Sequence, residues 1–102
     1  MTEIERGTTY RIEAEVKDAN DTITDPDQSD GEYQITITIE DASDGDVEID
    51  EETMNRSSEG KFYYDWETSS TDETGQYFVI VSAVISDKTV LNRDYVELVD
   101  VK

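Results

Sequence analysis

Carboxylates are the only plentiful reactive side chains in this sequence. Of 102 residues, 27 are Asp or Glu, and there is no His and no Cys. That removes the commonest general base and the thiol nucleophile, and with them disulfides and thiolate metal sites. The five glycines stand singly, so no glycine-rich loop is available to cradle a phosphate. Glycosidases work with two carboxyl groups roughly 5 to 10 Å apart, but among so many acids such pairs arise by chance. The residue types therefore point away from an enzyme, from a small-molecule substrate and from a cofactor.

Two acidic stretches could gather oxygen ligands for a hard cation. One is Asp18-Ala19-Asn20-Asp21; the other is Asp41, Asp44 and Asp46 around Gly45. The first matches the four-residue core of the cadherin calcium linker without the aromatic and proline that follow there. Neither has the fixed steps of an EF-hand loop. The simpler reading is solvated acid that binds monovalent cations loosely, with no specific metal. Asn20-Asp21-Thr22 and Asn55-Arg56-Ser57 are glycosylation sequons in expected loops, and both read as coincidental.

The same acids dominate the electrostatics. Against eight Lys and Arg they leave a formal net charge of -19, where an ordinary small domain carries a magnitude of about 2 to 8. Such self-repulsion opposes compaction unless salt screens it, and at about 1 M salt the Debye length is only about 3 Å. The composition resembles that of proteins from extreme halophiles. It argues against a nucleic-acid partner, because the basic residues are scattered singly rather than clustered. The first residues lack the basic start and apolar run of a secretory signal, and no apolar stretch approaches the ~20 residues of a membrane span. These features lead us to expect a soluble protein made in the cytoplasm, without a membrane partner.

Period-two patterning supplies the elements. Tyr10, Ile12, Ala14 and Val16 share one strand face; Tyr33, Ile35, Ile37 and Ile39 share another. Val47 and Ile49 make a short strand, and Glu51 to Glu59 has no strong period and could hold one helical turn or a short strand near Met54. Phe62, Tyr64 and Trp66 share a face after Gly60. The longest strand, Gly75 to Ser86, turns Tyr77, Val79, Val81, Ala83 and Ile85 inward. Val90–Asn92 and Tyr95–Val101 close the sheet, the latter with ambiguous orientation. The Asp18–Gly31 stretch reads as a long, mobile acidic loop. About seven short strands with regular turn signals and no long helix predict one all-β domain, a sandwich spanning 1-102. Phe78, Ile80 and Val84 on the longest strand, and Tyr63 on its own, point opposite to the core-facing residues. They are the candidate partner-binding residues.

The stretch Glu73-Thr74-Gly75-Gln76-Tyr77-Phe78-Val79 resembles the approach to strand F of immunoglobulin-like domains. There an acid stands four residues before a Tyr, and a Gly or Ala two before it. The resemblance implies that the Tyr77 hydroxyl bonds back to the preceding corner. It also implies that Val79 takes the place of the usual cysteine, and that Trp66 is a loosely placed counterpart of the core tryptophan. More broadly, the chain is similar to small immunoglobulin-like structural proteins of tailed phages and haloarchaeal tailed viruses. The matching features are Arg6-Gly7-Thr8-Thr9, Asp25-Pro26, Glu40-Asp41, Gly60-Lys61-Phe62-Tyr63-Tyr64-Asp65-Trp66 and Thr74-Gly75-Gln76-Tyr77. That similarity implies a non-catalytic virion part (head decoration, connector or tail) whose partners are other virion proteins. The alternative is an adhesion or carbohydrate-binding module of a halophile's cell surface.

The charge makes a direct prediction. The thermal unfolding midpoint should rise strongly, on the order of 10 °C, between dilute buffer and molar KCl. A flat midpoint over that range would show that the acidity is not an adaptation to salt.

Overall fold

The computed structural model describes residues 2–100. These residues form ten strands and no helix: β1 (Thr2–Glu5), β2 (Thr9–Glu15), β3 (Gln28–Ser29), β4 (Glu32–Tyr33), β5 (Ile35–Asp41), β6 (Val47–Thr53), β7 (Asn55–Ser58), β8 (Lys61–Glu67), β9 (Gly75–Ile85) and β10 (Lys88–Val99). Five strands make one sheet in the order β1-β10-β9-β5-β6; three make a second in the order β2-β8-β7; β3 and β4 form a small hairpin. All pairings are antiparallel except β1 with β10, which run parallel from Thr2 opposite Val96 to Glu5 opposite Val99. Among the described residues no helix is long and apolar enough to cross a membrane.

The alternation in the sequence becomes the alternation of burial. Along β5 every second residue is buried, Ile35, Ile37 and Ile39 completely. Their neighbours Tyr77, Val79 and Ala83 on β9, and Val96 and Leu98 on β10, extend that inner face across the sheet. Ile12, Phe62 and Trp66 from the three-stranded sheet join them in one core. Trp66 meets Tyr77 edge-on, with ring centroids 5.4 Å apart, and Phe62 meets Tyr33 the same way at 5.6 Å. Edge-to-face contact sets the positive rim of one ring against the negative face of the other. The buried Thr68 ties the end of β8 to the β1–β2 connection: its hydroxyl donates to the Thr8 carbonyl and accepts from the N–H groups of Gly7 and Thr8.

Several expectations are corrected here. Ten strands replace about seven, because β1, β3, β4 and β7 are too short or too polar to show a period. The segment from Glu51 to Glu59, open to either a helical turn or a short strand near Met54, is strand: β6 runs on to Thr53 and β7 follows, with Met54 buried between them. Asn55 therefore lies in a strand rather than a loop. The two closing strands are one, and its orientation is settled by Val96 and Leu98 facing inward. The resemblance placed Trp66 loosely; it stands on β8, in the three-stranded sheet, across the core from Tyr77.

The acidic stretch before β4 is tied down rather than mobile, and its carboxylates tie it. Asp25 receives both guanidinium bonds of Arg56, at 3.1 and 3.0 Å, and the N–H of Gly60 at 2.9 Å. The Arg56 hydrogen bond, then the Gly60 one, hold its carboxyl below the usual range. Pro26 is buried. Asp27 receives the N–H groups of Ser86 and Asp87 at 3.1 and 2.8 Å. Those two residues have φ of 52° and 63°, the left-handed pair of a two-residue type I′ hairpin turn. The loop thus seals the tip of β9 and β10.

Gly60 shows how tight this junction is. Its φ is +71°, and a Cβ there would stand 2.3 Å from Ile23 Cγ2 and 3.0 Å from the Thr24 carbonyl oxygen. Gly60→Ala should destabilise the fold by roughly 1–3 kcal/mol, from backbone strain and displacement of Ile23. Ile37→Ala should cost about 2–5 kcal/mol, because a cavity is left in a fully buried site. Chemical denaturation would check both; a Gly60→Ala midpoint equal to wild type would mean the junction yields freely.

Candidate interaction face and acidic corner

Residues opposite one another on neighbouring strands share a face of the sheet. On the outer face of the five-stranded sheet, Phe78 lies between Tyr95 of β10 and Glu40 of β5. Ile80 lies between Arg93 and Thr38, and Val84 lies beside Thr89. Three of the four candidate residues are thus on one face, each half-buried. Tyr63 is not with them. It stands on β8 opposite Glu13 and Asn55, and the Arg11 guanidinium covers its ring at 4.1 Å while pairing bidentately with Asp65. An aromatic capped in this way by a held cation offers little free surface.

The same face includes residues that the period-two reading left unplaced. Leu91 and Tyr95 are 66% and 47% exposed, and the Arg93 guanidinium lies 5.8 Å from the centre of the Phe78 ring. Splitting β10 at Arg93 and Asp94 hid the fact that Leu91, Arg93 and Tyr95 are in phase. A usable signal was present in the charges. From Gly75 to Arg93 the only acid is Asp87, set against Lys88 and Arg93. This stretch is net positive within a chain of net charge -19, and it carries the apolar outer face.

At the other end of the sheet is an acidic corner. Asp41, Asp44 and Glu73 can bring one carboxylate oxygen each within 4.8 Å of the others. The spacing Asp41, Asp44, Asp46 anticipated two of these; Glu73 comes from the β8–β9 connection and replaces Asp46. Such oxygens are of the kind a hard cation takes. Their hydrogen bonds, however, serve the local turn. Asp41 is buried and accepts from the Ser43 N–H and hydroxyl at 2.8 and 2.7 Å, and Asp44 accepts from the Asp46 N–H. The Ser43 bonds hold the Asp41 carboxyl below its ordinary range. Glu48 is pushed upward, first by burial and then by the surrounding carboxylates. The other acidic stretch is also committed: Asp18 accepts from the N–H groups of Asn20 and Thr22.

Tyr77 crosses from the core into this corner. Its ring is buried, and its hydroxyl donates to the Glu73 carbonyl at 2.6 Å, the bond that the immunoglobulin-like resemblance implied. Burial, and then Asp41, Glu48, Asp72 and Glu73, push its pKa up to about 12. Comparison of the chain with protein-family models, with curated proteins and with solved structures returned no match.

Two outcomes follow for Tyr77. Removing the hydroxyl in Tyr77→Phe should cost on the order of 1 kcal/mol, more if the Glu73 carbonyl is stranded. The folded-state pKa is raised, so the stability linked to the protonated phenol is complete below about pH 10, where the unfolded tyrosine begins to ionise. It is lost as pH rises toward 12. Unfolding midpoints measured from pH 8 to 12 should fall above pH 10 in the wild type and fall less in Tyr77→Phe. Parallel curves would exclude Tyr77 as the source.

Proposed function

We propose that the protein is a non-catalytic assembly module of immunoglobulin-like architecture that holds other protein subunits through the outer face of β9 and β10. The observation that carries this reading is the stripe of Phe78, Ile80, Leu91 and Tyr95 on the long β9–β10 hairpin, whose stretch from Gly75 to Arg93 holds a single acid. A chain whose remaining surface is carboxylate has no solubility reason to keep large apolar groups there. Partially exposed aromatics with an arginine among them are the composition favoured at interface centres. In molar salt, surface ion pairs are screened, so apolar contact is the interaction that persists.

Three features support the immunoglobulin-like assignment: a five-stranded sheet facing a three-stranded one, a first strand parallel to the last, and the Tyr77 corner bond. The setting we propose, a haloarchaeal tailed-virus particle, rests on the sequence similarity described above and on the acidity. Phe78→Asp should leave the isolated domain folded, with a stability change within about 1 kcal/mol, because Phe78 lies outside the shared core. Mass spectrometry of purified particles should detect the wild-type chain and find the Phe78→Asp chain missing. Wild-type chain absent from particles, or the substituted chain incorporated in full, would overturn the reading.

A further inference from the structure

β10 is paired on one side only along most of its length. β9 covers it from Lys88 to Leu98, whereas β1 reaches only Val96 to Val99 on the other side. Every residue from Lys88 to Tyr95 is exposed. In a two-residue hairpin the flanking residues, here Ile85 and Lys88, form a hydrogen-bonded pair. Alternate residues Val90, Asn92 and Asp94 then also turn their main-chain groups to β9. Thr89, Leu91 and Arg93 turn theirs to the open edge. The Tyr95 N–H, in the same phase, is taken by the Asp94 carboxylate at 2.8 Å.

An open edge of this length is a template for another strand, and proteins normally blunt such edges with charge, bulges or brevity. The other open edges here are blunted. β6 carries Glu48, Asp50, Glu51 and Glu52 and has two register shifts against β5. β7 has four residues, with its Arg56 tied to Asp25. β2 alternates charge through Arg11, Glu13 and Glu15. The free half of β10, Lys88 to Tyr95, is eight residues long and has no register shift against β9, and its three charges, Lys88, Arg93 and Asp94, are of mixed sign rather than acidic.

We infer that this edge pairs with the same edge of a second copy of the chain, antiparallel and two-fold symmetric about Leu91. The inference deepens the assembly reading by naming one partner, and it rests on the edge rather than on the outer face. The register follows from charge. With Leu91 opposite its counterpart, Thr89 faces Arg93 of the second copy, and these outward-turned residues exchange main-chain bonds in each pair. Lys88 then falls opposite the second copy's Asp94, twice by symmetry, and opposite charges directly across a strand pair attract. The two five-stranded sheets become one continuous sheet. The joining strands carry little of the charge that would otherwise drive two such acidic chains apart, and salt screens the rest.

The test is sedimentation equilibrium in molar KCl, with the full chain taken to about 1 mM, beyond which association is too weak to matter. Wild type should dimerise. Leu91→Pro, which removes an outward N–H and spares the β9 ladder, should be monomeric. Lys88→Asp should weaken the dimer severalfold by setting acid against acid, since charges in direct contact are attenuated less than those further apart than the ~3 Å Debye length, and adding Asp94→Lys should restore it. Lys61→Asp, the same charge change on β8, should leave it unaltered. A monomeric wild type overturns the proposal, as does a dimer indifferent to both Leu91→Pro and Lys88→Asp. If Leu91→Pro fails to fold, the Lys88 and Asp94 pair decides alone. Phe78→Asp separates this proposal from the face-docking reading. It should dimerise normally, and its loss of dimer would move the contact from the edge to the face.

Discussion

The fold depends on carboxylates accepting hydrogen bonds from main-chain N–H groups. A chain with 27 acids and eight bases cannot neutralise its acids by ion pairing. The pairs that do form, such as Arg11 with Asp65 and Arg56 with Asp25, lie at the surface, where such pairs add little. The peptide N–H is the other available source of partial positive charge, and a bond from it to an ionised acceptor is stronger than a neutral one. Asp18, Asp25, Asp27, Asp41 and Asp44 all accept such bonds, at turns where the ladder leaves N–H groups unpaired. The acids that make the chain self-repelling are in this way also the ones that close its loops.

How much of this was legible in the residues depended on whether burial differed between the two faces of a strand. β2, β5, β8 and β9 each set one face on the core, so alternation revealed them and their inward residues. β10 alternates only from Val96 onward; before that both faces meet solvent, so no period exists to mark the strand as continuous. β1 is fixed by pairing with the distant β10, which local pattern cannot report, and β3, β4 and β7, though in local hairpins, are too short or too polar to show a period. Tyr77 was legible because its bond is local, to a carbonyl four residues back. The bonds of Asp25 and Asp27 were not, since their partners lie 35 and about 60 residues away along the chain.

On β9 the outward direction of Phe78, Ile80 and Val84 was legible in the alternation. Leu91, Arg93 and Tyr95 share that outer face, whereas Tyr63 belongs to the other sheet. Period two tells which way a side chain points relative to its own strand. It does not tell which sheet the strand joins. Charge distribution carried the missing information: a stretch nearly free of acid inside a strongly acidic chain marks the surface where carboxylates have been kept away.

The parallel pairing of β1 with β10 has a mechanical side. The chain enters the five-stranded sheet along β1 and leaves it along β10 in the same direction, so a pull on the two ends acts along the strands in opposite senses. The bonds from Thr2–Val96 to Glu5–Val99, with the Arg6 N–H to the Val99 carbonyl at 2.9 Å, then bear the force together in shear. An antiparallel pair of end strands would open one bond at a time, like a zip. A module strung between neighbours that tug on it would be slow to yield along this axis, and the resistance would come from a strand of only four residues.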